Sequence, residues 1–98
     1  MTDFSLDQVF EVSENVVSRE VSGEFVLLDL ESGIYFGLNP VGSRIWQLLD
    51  EKPQALSAIC NIVEAEFDAP RDVIETDVLS LTGELVEQGL IAAQASTS

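Results

Sequence analysis

A chain of 98 residues, 46% of them apolar, holds enough hydrophobic material for one modest core and too little for two. Its charge is lopsided: four Lys and Arg stand against eighteen Asp and Glu, with no histidine, for a net charge of −14. Such a surface repels phosphate backbones and anionic lipid, which speaks against a nucleic-acid or membrane-surface role.

Residues 1–15 carry scattered apolar positions (Phe4, Leu6, Val9, Phe10, Val12) without a clean period. They read as a flexible N-terminal arm with a short extended piece at Val9–Val12. The start lacks a basic segment followed by an apolar run, and no run of 18 apolar residues occurs, so neither a signal peptide nor a membrane span is expected. Val16–Val21 and Glu24–Asp29 read as two strands joined by the two-residue turn Ser22-Gly23. Glu31-Ser32-Gly33 supplies the next turn, with Gly33 suited to positive φ. The third strand, Ile34-Tyr35-Phe36-Gly37-Leu38, closes an antiparallel meander. Ile34, Phe36 and Leu38 point one way, Tyr35 and Gly37 the other, and neither set is properly polar. A strand of this kind needs a cover on both sides or a ligand that supplies one.

Asn39-Pro40 is the strongest local signal, an N-cap followed by proline at the first helical position. The helix it opens buries Val41, Ile45, Leu48 and Leu49, with Trp46 alongside as a further core residue, and stops at Asp50-Glu51-Lys52-Pro53. A second helix runs from about Ala55 to Phe67. Asp68-Ala69-Pro70 breaks it and starts a third helix to about Gln88, stopped by Gly89, after which Leu90-Ile91 can return as a short strand. Residues 92–98 read as a frayed tail. In the third helix Ile74, Val78, Leu81 and Leu85 form a core stripe, and Leu79, Thr82 and Val86 form a neighbouring one. An arc this wide either touches both a sheet and a helix or lines a groove.

Catalytic chemistry is hard to assemble here. Without histidine, and with Cys60 in the apolar period of a helix, the usual nucleophile and base pairs are missing. No calcium loop or phosphate loop is present, and no metal or cofactor is expected. The lone cysteine suits a reduced, cytoplasmic setting. Arg19 and Arg44, among so many carboxylates, are expected to form internal ion pairs, and Tyr35 reads equally as a pocket residue or as a rim residue. The chain therefore reads as a binding module and not an enzyme. Helices two and three could be a helix-turn-helix, yet the candidate recognition helix opens with Arg71-Asp72-Val73-Ile74-Glu75-Thr76-Asp77 and would push carboxylates at DNA. That leaves, as an alternative, an acidic regulatory protein that binds another protein. A carrier protein is a weaker reading, because the Asp-Ser-Leu attachment signature is missing.

Several runs, taken in this order and spacing, carry a family resemblance. They are Val17-Ser18-Arg19-Glu20-Val21, Val26-Leu27-Leu28-Asp29-Leu30, Ser32 to Asn39, Gly42-Ser43-Arg44-Ile45-Trp46-Gln47-Leu48-Leu49, and the Asp77 to Leu90 helix with its Leu85-Val86-Glu87-Gln88-Gly89-Leu90 end. The resemblance runs from Val16 to Leu90, which makes residues 16–91 the expected peptide-binding domain. The chain resembles the PqqD-like family, also called recognition elements of ribosomally made, post-translationally modified peptides. The resemblance implies an α+β, winged helix-turn-helix-like fold, a three-stranded antiparallel sheet followed by three helices. It implies capture of the leader segment of a precursor peptide as an added strand, and delivery to a modifying enzyme such as a leader peptidase, a cyclase or a radical-SAM enzyme. By the same resemblance the backbone of Ile34, Tyr35, Phe36, Gly37 and Leu38 is the hydrogen-bonding edge, and Leu79, Thr82 and Val86 are the candidate apolar wall. An open strand edge could also pair with a second copy, so a homodimer without peptide is a further expectation.

Overall fold

The computed structural model describes residues 6–94. Nine elements follow in order: β1 (Val9–Val12), β2 (Val16–Val21), β3 (Glu24–Asp29), β4 (Tyr35–Gly37), α1 (Pro40–Glu51), β5 (Gln54–Ala55), α2 (Leu56–Glu66), α3 (Arg71–Glu87) and β6 (Ile91–Ala93). The expected meander is present as the antiparallel sheet β2-β3-β4, and three helices follow it. At its first turn Ser22 and Gly23 have φ of 54° and 85°, the pair of left-handed residues that matches the twist of a two-residue hairpin.

Within the stretch read as an arm, the extended piece at Val9–Val12 is a paired strand. Val9–Val12 lies between β5 and β6 in a second sheet, with Phe10 opposite Gln54 on one side and Ala93 on the other. The physical reason is burial: Phe10 is wholly enclosed in the main core, and four residues gain a sheet by pairing with strands from the other end of the sequence. Ala92 and Ala93, read as the start of a frayed tail, belong to β6 and pair with Glu11 and Phe10. The remaining arm and tail residues, 1–5 and 95–98, lie outside the described residues.

Helix boundaries follow local chemistry. The Asn39 side chain accepts the Gly42 amide proton at 2.7 Å, and Pro40 occupies the first turn, where its missing N–H costs nothing. α3 ends in a paired cap: Gly89 (φ 74°) donates to Val86 O at 3.0 Å and Leu90 to Leu85 O at 2.9 Å, so two orphan carbonyls are satisfied and Leu90 turns into the core. Gln54, nearly buried, donates to Leu48 O at 2.6 Å and steers the chain from α1 into β5.

The core lies between the meander and the three helices, built from Leu27, Leu38, Ile45, Leu49, Ile59, Val63, Val78 and Leu85 with Phe10 and Ile91 from the second sheet. Trp46 is buried among them, its indole N–H unpaired among the described residues. Cys60 is buried too, and that burial raises its thiol pKa and keeps it protonated. Ser43 joins sheet to helix: its hydroxyl accepts from Phe25 N at 2.7 Å and donates to Leu38 O at 3.3 Å. One hydroxyl thus links β3 and the end of β4 to α1.

Candidate functional site

β4 is an edge strand of its sheet. Its pairing with β3 determines which backbone groups remain open. Asp29 N donates to Ile34 O at 3.0 Å and Leu38 N to Phe25 O at 2.9 Å, with Phe36 opposite Leu27 between them. In an antiparallel ladder the paired residues alternate, so Ile34, Phe36 and Leu38 turn their amides and carbonyls toward β3. Tyr35 and Gly37 turn theirs outward, where no described strand meets them. Four backbone groups are thereby presented in a row.

Side chains alternate in the opposite sense. Phe36 and Leu38 face inward, half-buried and buried, while Tyr35 (70% exposed) and Gly37 face out. Ile34, just ahead of the strand, is more than half exposed. The turn from β4 into α1 opens a groove of about 250 Å³ against α3, lined by Asn39, Val41, Gly42, Ile45, Leu81 and the polar group Asp77, Ser80 and Glu84. Gly42 lets the two helices approach closely here. A β-carbon at that position would lie 3.3 Å from Leu81 Cδ2 and 3.1 Å from the capping Asn39 oxygen, a tighter fit than side chains ordinarily make.

The residues expected to form the wall are elsewhere on α3. Thr82 is 1% exposed, and its hydroxyl donates to Val78 O at 2.7 Å, one turn back in its own helix. Leu79 and Val86 are partly buried against the core. Each is two residues from a groove residue, Leu81 or Glu84, and so lies about 160° around the helix from it. They share a flank with Glu75, which Arg71 ties to Glu64 of α2 at 2.8 and 3.0 Å. The groove is lined instead by Leu81, which the sequence pattern assigns to the core stripe, and by the exposed polar residues Asp77, Ser80 and Glu84. Gly42 was the usable sign: a glycine on the inner face of α1 marks where another helix comes close.

Ion pairing accounts for two of the basic residues. Arg44 grips Glu66 through two nitrogens at 2.7 and 2.8 Å, which holds the Glu66 carboxyl below its ordinary range, and Arg71 is shared among Glu75, Glu64 and Asn61. Arg19, expected to pair internally, has no ion pair among the described residues. No group of three His, Cys, Asp or Glu among them could hold a metal ion, and no helix is long and apolar enough to cross a membrane.

The family model for coenzyme PQQ synthesis protein D (PqqD) matches residues 24–91, from β3 to the start of β6. The chain belongs to the PqqD family. Two solved structures resemble this PqqD-family chain over most of its length. One is TbiB1 in complex with the TbiA(beta) leader peptide, with TM-score 0.79 and 37% identity, spanning 88% of this chain and 99% of that one. The other is a lasso peptide synthetase B1 complexed with the leader peptide, with TM-score 0.74 and 25% identity, spanning 85% and 96%. Comparison with curated proteins gave no match. The two solved relatives carry the α+β architecture of this PqqD-family chain, three-stranded meander and helices included.

Proposed function

We propose that the chain is a non-catalytic binding protein for the leader segment of a ribosomal precursor peptide, which it holds as an extra strand on β4 and delivers to a modifying enzyme. The observation that carries this reading is the open edge of β4, where Tyr35 and Gly37 present backbone groups unpaired among the described residues, followed at Asn39 by a groove with Val41, Ile45 and Leu81 in its lining. Both solved relatives are complexes with leader peptides, which supports the same assignment.

The energetics define what the leader must bring. Four backbone hydrogen bonds at about 0.5–1.5 kcal/mol each are offset by the ordering of an extended peptide, at roughly 1–2 kcal/mol per residue. Affinity therefore depends on one or two apolar anchors, each worth about 1.5–3 kcal/mol when buried. An inward-facing leader residue beside Phe36 and Leu38 would reach the groove floor at Val41, Ile45 and Leu81. Asp77 and Glu84 at its rim favour a leader with a basic residue nearby, chiefly by speeding association. Leu79, Thr82 and Val86 support α3 from its core side in this reading. Without leader, the same open groups could pair with a second copy. The unpaired, buried Cys60 fits a reducing, cytoplasmic setting.

Gly37→Pro tests the reading. Proline removes the Gly37 N–H, which faces the open edge, and leaves the β3–β4 hydrogen bonds through Phe36 and Leu38 in place. No neighbour lies within 4 Å of a β-carbon there. With a fluorescent leader peptide from the cognate precursor, affinity should fall at least tenfold while the thermal midpoint changes little. Unchanged affinity in a folded Gly37→Pro protein would refute strand addition on β4.

A further inference from the structure

The meander is apolar on both faces, and only one has a cover. The inner face, with Phe25, Leu27 and Phe36, packs on the core beneath α1. The outer face is set by the strand register: Val17, Leu28 and Tyr35 form one row across the sheet, Arg19, Val26 and Gly37 the next, and Val21 and Glu24 the last. Val17, Val21 and Tyr35 are 47%, 52% and 70% exposed, and with Arg19, Val26 and Leu28 they line a shallow depression of about 450 Å³. An uncovered face of a small antiparallel sheet ordinarily carries polar side chains. On this one Arg19 and Glu24 are the charged side chains and the rest is mainly apolar, and a contiguous apolar patch on an exposed surface marks a contact site.

Its charge separates it from the rest of the molecule. The chain has eighteen carboxylates, yet these three rows contain one, Glu24, at the turn end. At the centre stands Arg19, which has no ion pair among the described residues, while Arg44 and Arg71 are each held by carboxylates. Arg19 stands among Val17, Val21, Val26 and Leu28, with Glu24 diagonal to it but not ion-paired, and offers a planar donor fork to a carboxylate that arrives with an apolar surround. A second copy does not supply this. It would bring the same acid-poor face, a second Arg19 and another net charge of −14. Anionic membranes are repelled by that charge as well.

We propose that the outer face of β2-β3-β4 docks the enzyme that acts on the captured precursor, through an apolar patch of that enzyme bearing an acidic residue for Arg19. This rests on the leader-binding reading for the role of the enzyme, and on the face itself for its location. Continuity supports the choice of partner: Tyr35 and Gly37 belong both to this face and to the open edge, so an enzyme seated here lies next to the leader it must act on.

The test uses the full-length chain, the cognate modifying enzyme and a labelled leader peptide, with two surface variants, Arg19→Glu and Val21→Glu. Binding of the purified enzyme is measured by calorimetry without leader, and leader affinity is measured separately by fluorescence anisotropy. The expected result is at least a tenfold loss of enzyme affinity in both variants, partial recovery in Arg19→Lys, and leader affinity within twofold of the wild type. Enzyme affinity within twofold of the wild type in both variants would overturn the proposal. So would a parallel loss of leader affinity, or sedimentation showing a dimer of this chain that the variants dissolve. Binding of the wild type to vesicles containing phosphatidylserine, lost in Val21→Glu, would equally overturn it in favour of a membrane. A wild-type chain that binds no leader removes the strand-addition reading, and the leader-free enzyme titration still decides this one.

Discussion

The two sheets of this molecule are of similar strand number and opposite character. β5-β1-β6 is short, gathers residues from both ends of the chain, and sends Phe10 and Ile91 into the core. β2-β3-β4 is built from neighbouring segments, leaves the Tyr35 and Gly37 edge unpaired, and exposes an apolar outer face. The first sheet closes the fold, while the second buries one face in the core and leaves the other exposed. In our reading that exposed face and the β4 edge serve partners, so strand number alone does not say what a sheet is for.

Phe10→Ala is the strongest way to break that contrast. It removes a wholly buried aromatic side chain from the closing sheet, at a cost of about 3–5 kcal/mol, measurable by denaturant unfolding. Leader affinity of the protein that remains folded should be unchanged, because no part of the open edge is touched. Ser43→Ala probes the joint between the regions. It strands the Phe25 amide and removes the donor to Leu38 O, so a loss of about 1–3 kcal/mol in unfolding free energy is expected, with leader affinity falling as β4 loses its fixed orientation on α1.

A third substitution addresses the groove alone. Leu81→Ser shortens its apolar floor, and leader affinity should drop roughly five- to tenfold, about 1–1.4 kcal/mol, in anisotropy titrations. Leu79→Ser on the other flank should affect folding and not leader affinity. The smallest effect is electrostatic. Arg44 lowers the Glu66 pKa mainly through its hydrogen bond, so the stability from this pair is present above the ordinary carboxylate range and is lost as pH falls through the depressed value. The two side chains are 27% and 39% exposed, and the difference in unfolding free energy between wild type and Glu66→Gln should be about a few tenths of a kcal/mol at neutral pH and vanish in acid.

What the sequence made legible was local. Ser22-Gly23, Gly33, Asn39-Pro40 and Gly89 each act through their own backbone geometry, and with them the meander and three helices could be placed. Val9–Val12 was legible as an extended piece but its pairing was not, since its partners, Gln54–Ala55 and Ile91–Ala93, are two or three residues long and distant in the chain. Of the candidate site, the edge strand was readable and the helix flank of the groove beside α1 was not. Helical spacing shows that Leu79, Thr82 and Val86 share a stripe, but only packing shows that α1 approaches the Leu81 side. Thr82 was expected on the wall with Leu79 and Val86 by the family resemblance; its hydroxyl bond to Val78 O is what lets it sit in the core. Arg19 was expected to find a carboxylate, and its position at the centre of an acid-poor sheet face kept it from one.

The most direct test of the central claim is residue-resolved amide hydrogen exchange with and without a saturating leader peptide. The alternation of β4 predicts that the Tyr35 and Gly37 amides become protected on binding, while Phe36 and Leu38, already bonded to β3, change little. Saturable leader binding that leaves Tyr35 and Gly37 exchanging as fast as before would place the peptide elsewhere and contradict the account.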